Sequence, residues 1–258
     1  MDYKKSFCWL ALAVACFHAA YYASGKFSAA GLLIFGYAFG LVQLANQPSV
    51  RRGFYFGFAT GFLCAAPQLY FFWKIFSVAA IVLWIVFAFW IGLFTAIVCG
   101  CIRRWGKARA IWLIPFIWTG LEYFRSELYY LKFSWLNIGY ALPTRLNIIG
   151  MYGLGFFVFL MVAICARRTF VKVSSQATLY LIAVLAIILL LMPPVLAVWH
   201  LGGKILSIAG IQMEFPPVGI LPKALDKALK KNPDAQLFVL SEYTLDGAIP
   251  DSLKQWCR

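Results

Sequence analysis

Ile75–Ile102, IFSVAAIVLWIVFAFWIGLFTAIVCGCI, is an unbroken run of apolar, aromatic and small residues without one charged side chain. About 20 helical residues cross a hydrocarbon core, so this stretch reads as a membrane span, and its surplus length predicts a tilt. Comparable stretches lie on both sides. Phe7–Ala23, Ala29–Ala45 and Phe54–Phe72 precede it; Ala110–Phe124, Ile148–Ala166 and Leu179–Trp199 follow. Ala110–Phe124 is short and carries Pro115 and Glu122, with Arg125 just beyond, so it is expected to be the least regular. The predicted fold is therefore a polytopic α-helical membrane bundle of about seven spans over residues 1–203. Only 12% of the chain is charged, against about a quarter in soluble domains, which excludes a soluble protein as the main body.

The basic residues set the direction. One group of loops holds Lys4, Lys5, Arg51, Arg52, Arg103, Arg104, Lys107, Arg109, Arg167, Arg168 and Lys172. The opposite loops hold Lys26, Lys74, Arg125, Lys132 and Arg145, fewer than half as many. The excess belongs on the cytoplasmic side, so the N-terminus is expected there. An odd number of crossings then carries everything after about His200 to the outer side. The same scatter argues against nucleic acid as a partner, because no single face collects the positive charge.

Lys4-Lys5 followed by an apolar stretch is compatible with a signal peptide, but Phe17, His18, Tyr21 and Tyr22 continue it without a small-residue cleavage site. It reads as a retained span. Six of the seven cysteines lie in or beside apolar stretches, and only Cys257 falls in the polar tail. No CxxC or Cys/His ligand spacing occurs, so neither a metal nor another cofactor is expected. Transport is disfavoured, since no span carries an acidic residue near its centre and no pair of broken helices suggests inverted repeats.

Two features carry chemistry. The outer loop from Glu122 to Arg145 holds Tyr123, Phe124, Tyr129, Tyr130, Phe133, Trp135 and Tyr140, with a turn signal at Asn137-Ile138-Gly139. Such aromatics serve either as interfacial anchors or as substrate contacts. Glu122 and Arg125, three residues apart, form either a structural ion pair on one helical face or a contact to a lipid headgroup or substrate.

The second feature is the polar tail, 204–258. Ile205–Met213 reads as a buried strand, Leu221–Lys231 as an amphipathic helix with Lys223, Lys227, Lys230 and Lys231 towards water, and Leu237–Leu240 as a second buried strand. Asn232-Pro233-Asp234 ends the helix. Strand, helix and strand make a βαβ unit with a parallel pair. Ligand chemistry in such sheets gathers at the carboxyl ends of the strands, where Glu242 falls. It is either a turn residue or a partly buried general base.

Several segments together resemble the apolipoprotein N-acyltransferase family, whose members join a multi-span membrane domain to an extracytoplasmic nitrilase-like domain. They are Pro115, Trp118-x-x-x-Glu122-x-x-Arg125, Phe133-Ser134-Trp135-Leu136-Asn137-Ile138-Gly139-Tyr140, Gly150–Phe157, Ile208-Ala209-Gly210-Ile211-Gln212 and Leu240-Ser241-Glu242. Ser134 and Ser241 each stand where the family has proline. The resemblance implies acyl transfer from a membrane phospholipid to the N-terminal diacylglyceryl cysteine of a lipoprotein, without a cofactor, in the bacterial plasma membrane. Its Glu-Lys-Cys triad maps only the general base, onto Glu242, and places lysine and cysteine beyond Arg258. Residues 204–258 are then expected to be the first part of the nitrilase-like domain, and these 258 residues alone are not expected to restore N-acylation. Lys254 and Cys257 are not expected to stand in, because the family nucleophile follows a later strand. Trp135, Tyr140, Glu122 and Arg125 are the candidate substrate-binding residues. The alternative is an inactive truncated membrane protein, or a scaffold for a separately encoded nitrilase half.

Overall fold

The computed structural model describes residues 2–23, 28–142, 149–171, 206–213, 216–217, 219–245 and 247–256. The predicted seventh span, Leu179–Trp199, lies outside them, as do Arg145 and Cys257. The chain divides into two compact units, Met1–Trp199 and His200–Arg258. The first is helical and the second holds a small two-stranded parallel sheet.

In the first unit, α1 (Tyr3–Ala23) is followed by a 3-10 turn, then α2 (Ile34–Leu44) and α3 (Val50–Gln68). Next come the short α4 (Phe71–Phe76), the long α5 (Ala80–Trp105), α6 (Lys107–Ala110), α7 (Ile114–Tyr123) and α8 (Gly150–Val171). Among the described residues, two helical stretches, Phe71–Trp105 and Gly150–Arg167, are long and apolar enough to cross a membrane; Ala30–Leu44 is apolar but shorter. Ser77, with φ of +49°, breaks the fourth predicted span near its start and separates α4 from the turn leading into α5, which still runs 26 residues. The fifth is as irregular as expected: a short helix, a 3-10 turn and an α-helix in succession, ending in a π-turn.

Why α3 and α5 lie so close is written in glycine spacing. Gly53, Gly57 and Gly61 repeat every four residues and stack on one face of α3. A Cβ on Gly57 would overlap Thr95 Oγ1 and stand 2.8 Å from the Ile91 carbonyl oxygen; one on Gly61 would stand 2.8 Å from the Cα of Ala88. Thr95 Oγ1 uses this proximity to donate to the Gly53 carbonyl at 2.9 Å. Small residues let two backbones meet where apolar burial alone gives no drive.

Pro67, in the last turn of α3, has no N–H to offer the carbonyl of Leu63 four residues earlier. His18 of α1 replaces it. Its Nε2 lies 3.0 Å from Leu63 O and its Nδ1 3.3 Å from Gln68 Nε2, which fits a ring that donates to the carbonyl and accepts from the amide. The Tyr22 hydroxyl donates to the Pro67 carbonyl at 3.3 Å. Substituting His18 by alanine strands the Leu63 carbonyl and is expected to cost about 1–3 kcal/mol. A lowered unfolding midpoint in detergent micelles is the measurement; an unchanged midpoint would remove His18 from this role.

In the second unit, β1 (Ile208–Ile211) and β2 (Leu237–Leu240) pair in parallel, with Ile208 opposite Leu237 and Ile211 opposite Leu240. The crossover is α9 (Ile220–Lys231), and α10 (Asp251–Trp256) follows. Leu221 and Leu225 of α9 and Leu253 of α10 form the core, with Phe238 and Leu240 packed against it. The four lysines of α9 face solvent as the periodicity predicts. Trp256 Nε1 donates to Asp226 at 2.7 Å and ties the two helices together. The reading of both strands as buried holds for one face only. Ile208, Leu237 and Val239 are exposed, because among the described residues the covering side chains all come from α9 and α10 on one side.

Candidate functional site

The helix carrying Glu122 changes its winding just beyond it. Pro115, in the first turn of α7, costs no hydrogen bond there. After Tyr123 the chain widens into a π-turn, Phe124–Leu128, closed by Tyr129 N–H donating to Phe124 O at 2.7 Å. A π-turn inserts one residue into the helical repeat and re-aims the side chains within and beyond it. Arg125 lies inside it, and Glu122 lies before it.

The expected pairing of these two residues is thereby replaced. No ion pair joins Glu122 to Arg125; each binds the Asn137-Ile138 turn instead. Glu122 Oε1 accepts from Ile138 N–H at 3.0 Å. Arg125 Nη2 donates to Asn137 Oδ1, its carbonyl accepts from Phe133 N–H at 3.0 Å, and its guanidinium carbon sits 5.0 Å from the Phe87 ring centre. The i,i+3 argument assumes a regular α-helix through both residues, and the π-turn breaks that assumption. Both side chains are enclosed, Glu122 at 3% and Arg125 at 2% exposure, so neither reaches solvent.

Asn137 is the hub of the arrangement, and the sequence marks it only as a turn residue. Its Nδ2 donates to Ser126 Oγ at 3.0 Å and lies 3.2 Å from Met151 Sδ. Its carbonyl accepts from the Tyr21 hydroxyl at 2.8 Å and from Tyr140 N–H at 3.0 Å. Four segments, α1, the π-turn, the loop itself and α8, thus converge on one turn. Gly139 belongs to the same device, since a Cβ there would stand 2.6 Å from the Met151 carbonyl oxygen. Leu136, just before Asn137, takes φ of +58°, a left-handed conformation that a leucine holds only when its neighbours are fixed.

This frame presents the two aromatics singled out in the sequence. Trp135 is 44% exposed while stacked on Phe72, with ring centres 4.4 Å apart and planes 26° from parallel. Tyr140 is 60% exposed. Trp135 is therefore held by its stack yet accessible and Tyr140 is accessible with its backbone tied to Asn137, whereas Glu122 and Arg125 are buried.

In the second unit Glu242 does follow β2, opening a 3-10 turn, Glu242–Thr244. It is exposed rather than partly buried. The inward positions go to Ser241 and the buried Thr244, whose hydroxyls meet at 2.7 Å. Ser241 Oγ donates to Met213 O at 2.5 Å and accepts from Met213 N–H at 3.0 Å; Thr244 Oγ1 donates to Ser241 Oγ and lies 3.2 Å from the same carbonyl. These bonds pin together the carboxyl-terminal ends of both strands and leave the carboxylate facing outwards. Lys254 pairs with Asp251 at 2.9 Å on the surface.

A helical unit with a polar anchor holding an aromatic loop is the class of structure these residues define. Residues 15–165 match the family model described as the apolipoprotein N-acyltransferase N-terminal domain. The match covers more than half of the chain, and the chain belongs to this family. It includes Glu122, Arg125, Trp135 and Tyr140 and stops short of Glu242. No individual curated protein sequence matches the chain.

Proposed function

We propose that the protein takes part in transfer of a fatty acyl chain from a membrane phospholipid to the N-terminal diacylglyceryl cysteine of lipoproteins, at the outer face of the bacterial plasma membrane. In this reading the first unit is a seven-span bundle with a cytoplasmic N-terminus, and the second begins an extracytoplasmic nitrilase-like domain. Trp135 and Tyr140 contact the lipid-borne substrate. Glu122 and Arg125 serve the same site from behind, by holding the turn between those aromatics. Glu242 acts as general base towards a cysteine thiol, whose thiolate attacks the phospholipid ester; a lysine stabilises the resulting oxyanion. The resemblance does not map the cysteine and the lysine onto residues of this sequence.

The observation that carries the proposal is the anchored turn. A surface that must grip a lipid repeatedly benefits from aromatics whose positions are fixed before binding. The experiment joins residues 1–258 to the lysine- and cysteine-bearing remainder of an active family member. Lipoprotein acylation is then followed by mass spectrometry in cells depleted of their own enzyme. The chimera is expected to restore the third acyl chain, and Glu242→Gln is expected to abolish it. Trp135→Ala should slow it at least tenfold, roughly the 1.4 kcal/mol of one lost aromatic contact. An acylation rate untouched by Glu242→Gln would sink the assignment of the base, and one untouched by Trp135→Ala would remove Trp135 from the substrate site.

A further inference from the structure

Residues 1–199 hold three acidic side chains, Asp2, Glu122 and Glu127. Two of them are committed. Asp2 accepts from Tyr3 N–H at 2.7 Å at the start of α1, and Glu122 is enclosed behind the turn. Glu127, in the π-turn, is exposed, and among the described residues no lysine or arginine forms an ion pair with it. Tyr152 of α8 holds it instead, donating its hydroxyl to Glu127 Oε1 at 2.5 Å. Tyr123, the last residue of α7, meets the Tyr152 ring edge to face, with ring centres 5.3 Å apart, and is itself 46% exposed. The result is an accessible carboxylate joined to a pair of tyrosine rings.

The place of this group follows from the anchor. Ser126 and Met151, the residues just before Glu127 and Tyr152, both meet the Asn137 side-chain amide, at 3.0 and 3.2 Å. The carboxylate is therefore fixed one residue outside the hub that sets the Trp135–Tyr140 loop. We propose that Glu127, with Tyr123 and Tyr152, binds the primary ammonium group of a membrane lipid. The chemistry selects the ligand. A carboxylate accepts charge-assisted hydrogen bonds, which a primary ammonium gives and a quaternary one cannot. Tyrosine rings attract the same cation through their faces. A bare phosphate is repelled, and a divalent metal needs more oxygen ligands than one carboxylate and one hydroxyl supply.

Two lipids carry this group in the reaction proposed above: an ethanolamine headgroup on the acyl donor, and the α-amino group of the lipid-modified cysteine. The site rests on the reading of this loop as a lipid contact, and its test reads binding alone.

The full chain is reconstituted in bilayers with equal parts of phosphatidylethanolamine, phosphatidylcholine and phosphatidylglycerol of matched acyl chains, and the lipid that copurifies is counted by mass spectrometry. A second count uses a diacylglyceryl-cysteine peptide whose amino group is free or acetylated. An enrichment of about fivefold, the upper range for an exposed ion pair, is expected for the amine-bearing member of at least one set, and it should shrink as salt is added. Enrichment of phosphatidylethanolamine identifies the donor headgroup as the source, and enrichment of the free peptide identifies the acceptor. Glu127→Gln keeps an oxygen for the Tyr152 hydroxyl and removes the charge, so it is expected to erase the preference at an unchanged unfolding midpoint. Absence of any amine preference in the wild type would overturn the proposal. So would a preference that survives Glu127→Gln, or one lost only together with a lowered midpoint. An inactive chimera that retains the preference counts against the acyl-transfer reading and leaves this site standing.

Discussion

Replacing Gly57 with leucine separates α3 from α5 and is expected to cost more than about 3 kcal/mol, the upper end of overpacking penalties. The position has no room for even a methyl group, because the nearest obstacles are a backbone carbonyl at Ile91 and the side chain of Thr95. A clash with a flexible side-chain tip can be relieved by a rotamer change; one with backbone moves the whole helix. Once α3 withdraws, Thr95 Oγ1 also loses the Gly53 carbonyl it holds at 2.9 Å. Gly57→Ala should show the same effect at reduced size, and substitution of the exposed Tyr55 should show almost none. Unfolding midpoints in micelles rank the three variants. Equal midpoints for Gly57→Leu and the wild type would contradict close backbone contact at this crossing.

The second large effect is expected at Arg125. Truncation to alanine removes the donor to Asn137 Oδ1 and leaves the Glu122 carboxylate enclosed without its nearby positive charge. Breaking a buried charged arrangement by deleting one member costs about 3–5 kcal/mol, largely through the partner left behind. Asn137→Ala should cost less, about 1–3 kcal/mol, because no ion is stranded. The two substitutions share a contact, so their effects should fall short of additive in a double-mutant cycle. Additivity would show that Arg125 and Asn137 act independently and that the turn is not held as described. Arg125→Lys is not a rescue, since an ammonium lacks the planar guanidinium that reaches Asn137 Oδ1 while lying over the Phe87 ring.

The apolar pattern marks most of the helices to within a few residues, because long segments of one character leave little choice of conformation. It does not mark the break at Ser77, which falls in an apolar stretch without proline or glycine, three residues after Lys74. The βαβ order and the parallel pairing were legible from Leu221–Lys231 lying between two short apolar stretches. The exposure of Ile208 and Val239 was not, since periodicity reports that a side chain is apolar and says nothing of what covers it. At the loop, Glu122, Arg125, Trp135 and Tyr140 could be singled out by type and place. Their division of labour could not, because it depends on a π-turn that no propensity scale marks. Asn137 is hidden as the hub for a related reason. An asparagine before Ile-Gly fits an ordinary turn, and its partners Tyr21 and Met151 are distant in sequence. The four-residue spacing of Gly53, Gly57 and Gly61 is a signal of the α3–α5 crossing that the sequence does carry.

The hydroxyl of Tyr21 and the carbonyl of Asn137 are 116 positions apart along the chain. The turn also leans on Met151, at the beginning of α8. Its final shape therefore has to wait during synthesis until both the first helix and α8 are in place. A nascent chain arrested before α8 emerges would carry Trp135 and Tyr140 on an unset loop, with Asn137 short of one partner. The aromatic surface is thus among the last parts of the helical unit to mature, although its sequence is made well before the unit is complete.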